Sequence, residues 1–259
     1  MAGEMFVKTL IYQFWKGEIP AYADLSRRLF AAYAERHGAE YRFDDNPTFF
    51  TGKYAEYFHA LRPVYDDVFL AYDRIIFVDS DVYPKAAASA GILDCPVGHI
   101  GMVEELSPAI RQDRPKWITD AKERRWATIS ELMFRSRPPR RPDGNPRAFN
   151  SGVIVYTQEG LRAARASFPD RGLYSLAMRL ALLPRFYRLD QNYLGMACFR
   201  KGIHFTELDP SWNRIVKAAE LDDKLRVTAL SPGTAFVHWQ VRNRRDFSER
   251  QILDLVESA

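Results

Sequence analysis

Short apolar runs and longer amphipathic segments alternate along most of this chain. The apolar runs have the length and the β-branched or aromatic content of strands, and they lie at residues 6–15, 40–43, 74–78, 98–103, 151–156 and 235–239. The segments between them repeat apolar residues at helical spacing, at 20–38, 53–73, 116–134, 160–168, 173–183, 190–200 and 247–258. This alternation is typical of an α/β fold with a mostly parallel sheet flanked by helices. We expect a single domain over residues 1–259.

Residues with known preferences for helix ends mark two of these helices. Pro20 stands where the first helix is expected to begin, and Gly38 stands where it is expected to end. Ser248 and Gln251 have the spacing of a capping box at the last helix. Pro63 is expected to interrupt the helical pattern around it, because proline lacks a backbone donor.

The segment at 135–147 departs from both patterns. It reads RSRPPRRPDGNPR and holds five arginines, four prolines and one acidic residue. Proline disfavours helix and sheet alike, so we expect an exposed or mobile loop. Its charge leaves two interpretations open, which are a solvated linker and a contact for an anionic acceptor or for the head groups of an anionic membrane surface.

Two carboxylates follow the apolar run at 74–78. Asp79 and Asp81 are separated by Ser80, and ligands of parallel α/β sheets bind beyond the carboxyl ends of the strands. If the strand continues, alternation places both carboxylates on one side. Two carboxylates so close repel each other, and Mg²⁺ or Mn²⁺ would relieve that repulsion. The alternative is a turn or helix cap in which these side chains bond backbone amides.

Composition excludes several classes of protein. The net charge of +4, from 37 basic and 33 acidic residues, is too small to indicate binding to nucleic acid. The two cysteines, Cys95 and Cys198, do not fit a cysteine zinc site or a disulfide framework. The sequence has no apolar run of membrane-spanning length, and its first residues lack the pattern of a signal peptide. We expect a cytoplasmic protein. If it contacts a membrane, we expect it at the inner face.

The stretch IIFVDSDV at 75–82 resembles the first motif of the haloacid-dehalogenase-like phosphatases. That resemblance implies Asp79 as the nucleophile and Asp81 as the acid and base. The same family has a later acidic pair near a Gly-Asp motif, and this sequence contains no Gly-Asp dipeptide. The phosphatase stays as an alternative interpretation.

Four stretches resemble, in the same order along the chain, the motifs of family 8 glycosyltransferases. They are YDRIIFVDSDV at 72–82, RAFNSGVIVY at 147–156, LDQNYLG at 189–195 and FVHW at 236–239. The resemblance spans residues 6 to 240 and implies the Rossmann-like GT-A fold of this family or of a close relative. It also implies metal-dependent transfer of a hexose from a UDP-sugar to a glycan or lipid-linked acceptor.

The resemblance gives individual residues their expected roles. Asp79, Asp81 and His238 are expected to hold Mn²⁺ or Mg²⁺. Asp190 is expected to hold sugar hydroxyls, and Gln191 is expected to lie near the anomeric carbon, so these two are the expected catalytic residues. The other residues expected at the substrate are Asn150, Ser151, Gly152, Arg62, Tyr12, Gln13, Lys53, Ser80, Asn192 and Trp239.

Several of these residues also have a purely structural interpretation. Asp190 would then cap the helix that follows it, and His238 would be a satisfied core residue in an apolar strand. Tyr12 and Gln13 are expected at the end of the first strand, where uracil lies in this fold, but an aromatic residue there is also typical of a core. Arg62 is expected at the diphosphate or the sugar, with Lys53 as the weaker alternative.

Gln191 determines the stereochemistry that we expect. An inverting transferase needs a base behind the acceptor hydroxyl, and an amide side chain cannot act as one. We therefore predict retention of the anomeric configuration. Inversion would require a base such as Glu104 or Glu105. A sugar-nucleotide binding module without catalysis is a third interpretation.

Overall fold

The computed structural model describes residues 7–52, 55–105, 116–184, 189–217, 233–240 and 244–258. In these ranges the strands are β1 (Thr9–Trp15), β2 (Glu40–Asp45), β3 (Arg74–Val78), β4 (Val82–Pro84), β5 (Ile100–Glu104), β6 (Phe149–Thr157), β7 (Phe205–Leu208), β8 (Arg214–Lys217) and β9 (Phe236–Gln240). The α-helices are α1 (Ala21–Arg36), α2 (Arg62–Tyr65), α3 (Gly91–Asp94), α4 (Lys116–Phe134), α5 (Gln158–Ser167), α6 (Arg171–Arg179), α7 (Leu189–Ala197) and α8 (Glu249–Ser258). No helix within these ranges has both the length and the apolar content to cross a membrane.

Six strands form a mixed sheet in the order β2-β1-β3-β6-β5-β7. β1 pairs parallel with β2 and β3, and β5 pairs parallel with β7. β6 runs antiparallel to both β3 and β5. Three of the five ladders are parallel, so the predicted α/β fold with a mostly parallel sheet is confirmed.

The central strand β3 is buried on both faces, which explains its nearly continuous apolar sequence RIIFV. Side chains alternate along it, so that Ile75 and Phe77 join one apolar cluster with residues of α5 and α7. Ile76 and Val78 join a second cluster with residues of α1 on the opposite face. Full burial of each such side chain contributes roughly 1.5–3 kcal/mol. The strand that leads into Asp79 is therefore anchored on both sides.

A second sheet of three strands has the order β4-β9-β8. β9 pairs antiparallel with β4 and parallel with β8, so His238 lies opposite Val82 on one side and Ile215 on the other. This pairing carries the late strand FVHWQ to the end of β3. The hydrophobic pattern does not predict β4, β7 or β8, because three or four residues are too few to show a period.

The predicted helix ends agree with the structure. α1 begins directly after Pro20, and Gly38 after its end has a left-handed backbone with φ of 70°. The Ser248 amide donates to Oε1 of Gln251 at 2.9 Å, and the Gln251 amide donates to Oγ of Ser248 at 3.3 Å, which is the predicted capping box. Pro63 lies in the first turn of α2, where the backbone N–H has no partner within a helix, so its absence costs no hydrogen bond. 3₁₀ turns precede and follow this short helix, so the helical pattern is interrupted around Pro63 as predicted.

Ion pairs connect the segment 135–147 with the rest of the domain. Arg147 pairs with Glu104 at 2.5 Å and with Glu207 at 2.7 Å, and Arg140 pairs with Glu131 at 2.8 Å. These contacts give several of the arginines an acidic partner within the chain. The mobility expected for this segment stays a prediction.

Candidate active site

Asp79 and Asp81 lie in the tight turn between β3 and β4. The Asp79 amide donates to the carbonyl oxygen of Gly152 at 2.8 Å, and the Val82 amide donates to the carbonyl oxygen of Asp79 at 3.1 Å. The two acidic residues are thus beyond the end of β3, and a turn brings them together. The expectation that strand alternation aligns them is wrong, although the two carboxylates do converge.

His238 completes a cluster of three metal-ligating side chains. Its Nε2 lies 3.2 Å from Oδ1 of Asp81, and ligand atoms of Asp79, Asp81 and His238 all lie within 4.8 Å of one another. The imidazole is buried, but it faces a carboxylate and not the apolar core. Carboxylate oxygens suit Mg²⁺ and Mn²⁺, and imidazole adds a nitrogen donor. These three residues therefore fit a divalent cation.

A chain of amide groups holds the other side of the His238 ring. The backbone amide of Gly152 can only donate, and it donates to Oδ1 of Asn150 at 2.8 Å. The same oxygen accepts a bond from Nδ2 of Asn213 at 2.8 Å, which turns Oδ1 of Asn213 towards Nδ1 of His238 at 2.9 Å. Nδ1 therefore donates to Oδ1 of Asn213, and Nε2 is the ring atom that faces Asp81. In this orientation Nε2 is the nitrogen that would bind a metal ion.

Gly152 allows strand β6 to pass directly beside this imidazole. A Cβ atom at Gly152 would lie 2.8 Å from Oδ1 of Asn150 and closer still to Cε1 and Nδ1 of His238. The sequence predicts that the strand begins at residue 151, after Asn150, but β6 begins at Phe149 and includes Asn150. Since alternate residues of a strand share a face, Asn150 and Gly152 both turn towards His238.

Helix α7 places two polar side chains beside β6. Asp190 lies inside the first turn of α7, so its interpretation as the N-cap is wrong, and its Oδ2 accepts a bond from Oγ of Ser151 at 3.0 Å. Oε1 of Gln191 accepts from Nδ2 of Asn150 at 3.3 Å, and Nε2 of Gln191 donates to Oε2 of Glu105 at 2.7 Å. The amide chain that begins at His238 therefore continues to Gln191 and ends at Glu105.

A shallow pocket opens beside Gln191. Its walls come from α4, from α7 and from the start of β6, and they include Trp126, Arg147 and Asn192. Asn192, which is expected at the substrate, lies on this open surface next to Gln191. The pocket therefore gives the Gln191 end of the cluster access to a ligand.

Two residues expected at the substrate are buried in the core. Tyr12 is 0% exposed, and its ring lies 5.0 Å from that of Phe69 between centroids. Trp239 is 2% exposed and packs against Phe247, because alternation along β9 turns it away from His238. Direct contact of either side chain with a substrate disagrees with this burial, and for Tyr12 the core interpretation holds.

Gln13 and Ser80 fasten the acidic turn to β1. Nε2 of Gln13 donates to the carbonyl oxygen of Asp79 at 3.2 Å, and Oγ of Ser80 donates to the carbonyl oxygen of Phe14 at 2.8 Å. Gln13 is fully buried, so it supports the turn from inside the core. This burial disagrees with the expectation that Gln13 contacts uracil. Ser80 is 7% exposed, and its contact with a substrate stays a prediction.

Arg62 is occupied by two carboxylates. It pairs with Asp44 at 2.5 Å and with Asp66 at 2.8 Å. Its expected contact with a diphosphate or sugar stays a prediction. Lys53, the weaker alternative, lies outside the described residues.

Asn213 is the residue of this cluster that the sequence does not reveal. It follows the 3₁₀ turn Pro210–Trp212 and connects two motifs, reaching back 63 residues to Asn150 and forward 25 residues to His238. A side chain that bridges motifs so far apart leaves no local periodicity or spacing. Only the packing of β8 against β9 brings it into position.

The two glutamates named as alternative bases have different surroundings. Hydrogen bonding from Arg147 holds the pKa of Glu104 below its usual range, which makes this carboxylate a weaker base. Glu105 instead accepts a hydrogen bond from Gln191. Of the two, Glu105 is the one next to the expected anomeric position.

An acidic turn at the end of a central strand faces a histidine on a strand of the second sheet, which is the arrangement that the resemblance to family 8 glycosyltransferases led us to expect. The sequence model of the family described as Glycosyl transferase family 8 matches residues 25–243. Because this match covers most of the chain, the protein belongs to glycosyl transferase family 8 and is an enzyme of the transferase class. No curated protein matches the sequence.

Solved structures agree with this fold. A glycosyltransferase involved in the glycosylation of the major capsid of PBCV-1 superimposes with a TM-score of 0.52 at 16% identity, over 89% of this chain and 93% of that chain. The galactosyltransferase LgtC, in complex with donor and acceptor sugar analogs, superimposes with a TM-score of 0.51 at 14% identity, over 89% of this chain and 87% of that chain. At such identities the likeness shows the GT-A fold alone. Nothing in the described part of the chain supports the phosphatase interpretation.

Proposed function

We propose that this enzyme transfers a hexose from a UDP-sugar to a glycan or lipid-linked acceptor in a reaction that requires Mn²⁺ or Mg²⁺. The observation that carries the proposal is the convergence of Asp79, Asp81 and His238, whose ligand atoms lie within 4.8 Å of one another. Without a cation, two carboxylates would repel a diphosphate. A bound cation supplies the positive charge that neutralises the leaving diphosphate.

The protein would hold the cation from two sides. Asp79 and Asp81 approach from the turn that Gln13 and Ser80 fasten to β1. His238 approaches from β9 with its Nδ1 proton bonded to Asn213, so Nε2 needs no rearrangement before it binds. Such hydrogen bonds to a ligating imidazole orient the ring and raise its basicity.

Asp190 and Gln191 would orient the sugar, and Asn150, which is only 1% exposed, would hold the Gln191 amide in place. Asp190 is bonded to Ser151 through one carboxylate oxygen, Oδ2. Its role in holding sugar hydroxyls and the position of Gln191 near the anomeric carbon come from the family motifs. Arg62 would contact the diphosphate only if it exchanged one of its present carboxylate partners.

We propose retention of the anomeric configuration. Both ends of the Gln191 amide are engaged, with Asn150 donating to one end and Glu105 accepting from the other. An amide is no base, so the acceptor proton would pass to the leaving diphosphate on the same face of the sugar. Proton NMR of the new anomeric signal tests this point. A β-linked product from an α-linked donor would contradict it and would assign the base to Glu105.

The setting of the reaction is part of the proposal. Cys95 and Cys198 are both free thiols, which suits a reducing, cytoplasmic compartment. Burial raises the pKa of the Cys198 thiol, so this group stays protonated and unreactive. These features support work in the cytoplasm, where a lipid-linked acceptor would be met at the inner face of the membrane.

The experiment that tests the proposal incubates the protein with Mn²⁺, a panel of sugar nucleotides and a panel of phosphomonoesters. We expect release of UDP from one or more UDP-sugars and no release of phosphate from the phosphomonoesters. Asp81→Asn should abolish UDP release, whereas the matched control Asp254→Asn, at an exposed position of α8, should leave it unchanged.

Two results would overturn the proposal. Phosphate release that depends on Asp79 would establish the phosphatase. Metal-dependent binding of UDP-sugars with no UDP release, even over long incubation with varied acceptors, would establish a binding module without catalysis.

A further inference from the structure

Helix α6 turns a row of leucines towards solvent. Its inner side buries Tyr174, Ala177 and Met178 against the core. The outer side and the turn that follows it expose four large apolar residues, which we call the leucine face: Leu173 at 44%, Leu176 at 45%, Leu180 at 62% and Leu182 at 37% exposed. Leu173, Leu176 and Leu180 have the i, i+3, i+7 spacing of one helical side.

The end of α4 packs against α6 and is also apolar. Phe134 on α4 packs its ring 5.7 Å from that of Tyr174 on α6, and the residues before it, Leu132 and Met133, are 74% and 39% exposed. Ten large apolar side chains are exposed in the described part of the chain, and six of them lie in this region. Such a concentration marks an interaction surface and not a random scatter of exposed leucines.

Exposed arginines lie on α6, on α4 and directly after α4. Arg179 on α6 and Arg125 on α4 are exposed, and Arg125 donates to the carbonyl oxygen of Ala181 at 2.8 Å, which places its guanidinium at the turn after α6. Arg135 and Arg137 are exposed directly after the end of α4. Two exposed acidic residues also lie here, which are Asp170 at the N-cap of α6 and Glu131 on α4, and Glu131 pairs with Arg140 at 2.8 Å. Four exposed arginines against these two acidic residues leave the surface apolar with a net positive charge.

We propose that the leucine face, with Arg125 and Arg179, docks on the surface of an anionic lipid bilayer. Leucines on one helical side would enter the boundary between head groups and acyl chains, and the arginines would remain at the level of the phosphates. Charge complementarity selects this partner over a second copy of the chain, because two such faces would bring like charges together.

The position of the docking surface fits the candidate active site. Trp126 on α4 lines the pocket beside Gln191, and its Nε1 donates to the hydroxyl of Tyr174 on α6 at 3.4 Å. Docking through α6 would thus place the bilayer against a helix whose inner side contacts a wall residue of this pocket. Docking itself needs no catalysis. The further point that the acceptor is lipid-linked rests on the proposed function.

The test measures flotation of the full chain with vesicles of phosphatidylcholine alone and of phosphatidylcholine mixed with phosphatidylglycerol. We expect binding to the anionic vesicles, weakened by salt, and little binding to the neutral ones. Since each leucine is about half exposed already, Leu176→Ser and Leu180→Ser should each weaken binding about fivefold. Arg179→Gln should also weaken it about fivefold.

A matched control tests whether the loss of any exposed apolar side chain, and not only of one in the leucine face, weakens vesicle binding. Val68 is 46% exposed far along the chain from α6, and Val68→Ser should bind anionic vesicles as the unaltered protein does. All four substitutions replace exposed residues, so the melting temperature of each variant should stay unchanged, which checks folding.

Three results would overturn docking on a bilayer. The first is no flotation with anionic vesicles. The second is equal flotation of the leucine variants and the unaltered protein. The third is a dimer in light scattering that Leu176→Ser dissociates, since the face would then be covered by a second copy. Each is measured without the transfer reaction, so failure of docking leaves the proposed function untouched.

Discussion

Replacing Gly152 with alanine should displace the His238 ring and weaken metal binding. The new methyl group would lie 2.8 Å from Oδ1 of Asn150 and closer still to two atoms of the imidazole. Real Cβ atoms do not tolerate such distances, so strand, amide or ring must shift. Because the Gly152 amide also donates the hydrogen bond that orients Asn150, a shift would disturb the orientation of Asn213 as well.

The size of the effect follows from how tightly His238 is held. The ring is 1% exposed, with Nδ1 bonded to Asn213 at 2.9 Å and Nε2 at 3.2 Å from Asp81, so it has no open space to enter. Overpacking such a site costs about 1–3 kcal/mol of folding free energy. Disturbing a group that orients a metal ligand weakens metal affinity about 10–100-fold.

Gly195 provides the matched control for this substitution. It lies in α7 one turn after Gln191, and the nearest atom to a Cβ placed there is 3.7 Å away, on the Trp126 ring. Gly195→Ala should therefore leave metal affinity unchanged and stabilise α7 by about 0.5–1 kcal/mol. Calorimetric titration with Mn²⁺ and thermal melting measure both variants. Unchanged Mn²⁺ affinity and stability in Gly152→Ala would refute the close packing of β6 against His238.

Three further predictions concern the cluster and the core. Asp81→Asn should abolish turnover and leave the melting temperature within a few degrees, as activity assays and calorimetry can check. Asn213→Ala should weaken Mn²⁺ binding about 10–100-fold, because it removes the acceptor that orients the His238 ring. In nitrogen-15 NMR of the metal-free protein, the fraction of His238 protonated at Nδ1 should decrease. An unchanged spectrum would show that Asn213 does not fix the proton on Nδ1. Burial lowers the pKa of His59 to about 4, so between pH 6.5 and 4 the folded protein keeps this ring neutral while the unfolded chain protonates it. Because the unfolded chain then binds more protons, the free energy of unfolding should decrease as pH falls from 6.5 towards 4, and His59→Phe should reduce that decrease.

The long apolar elements and the end of the central strand could be predicted from the sequence. β3 is buried on both faces, so its composition alone indicates a strand, and Asp79 and Asp81 at its end indicate a ligand site. The route by which the two carboxylates meet could not be predicted, because a strand and a turn place residues 79 and 81 on the same side equally well. The pairing of β9 with β4 and β8 also has no local signal, since two of these strands have only three or four residues.

Burial in the folded chain distinguishes the core residues from the substrate residues where the sequence left both roles open. Tyr12 and Gln13 are neighbours on β1 and point to opposite faces, yet both are fully buried, because helices and the second sheet cover both sides of that strand. A period of two shows which residues share a face but not which face meets a ligand. Asn213 illustrates the complementary limit, since its contacts with Asn150 and His238 exist only in the folded chain.

The most direct test of the central claim is a calorimetric titration of UDP into the protein, once with Mn²⁺ and once with EDTA. If Asp79, Asp81 and His238 bind the diphosphate through a cation, UDP should bind with Mn²⁺ and should not bind measurably in EDTA. Asp81→Asn should behave in Mn²⁺ as the unaltered protein does in EDTA. Equal affinity for UDP with Mn²⁺ and with EDTA would contradict the account.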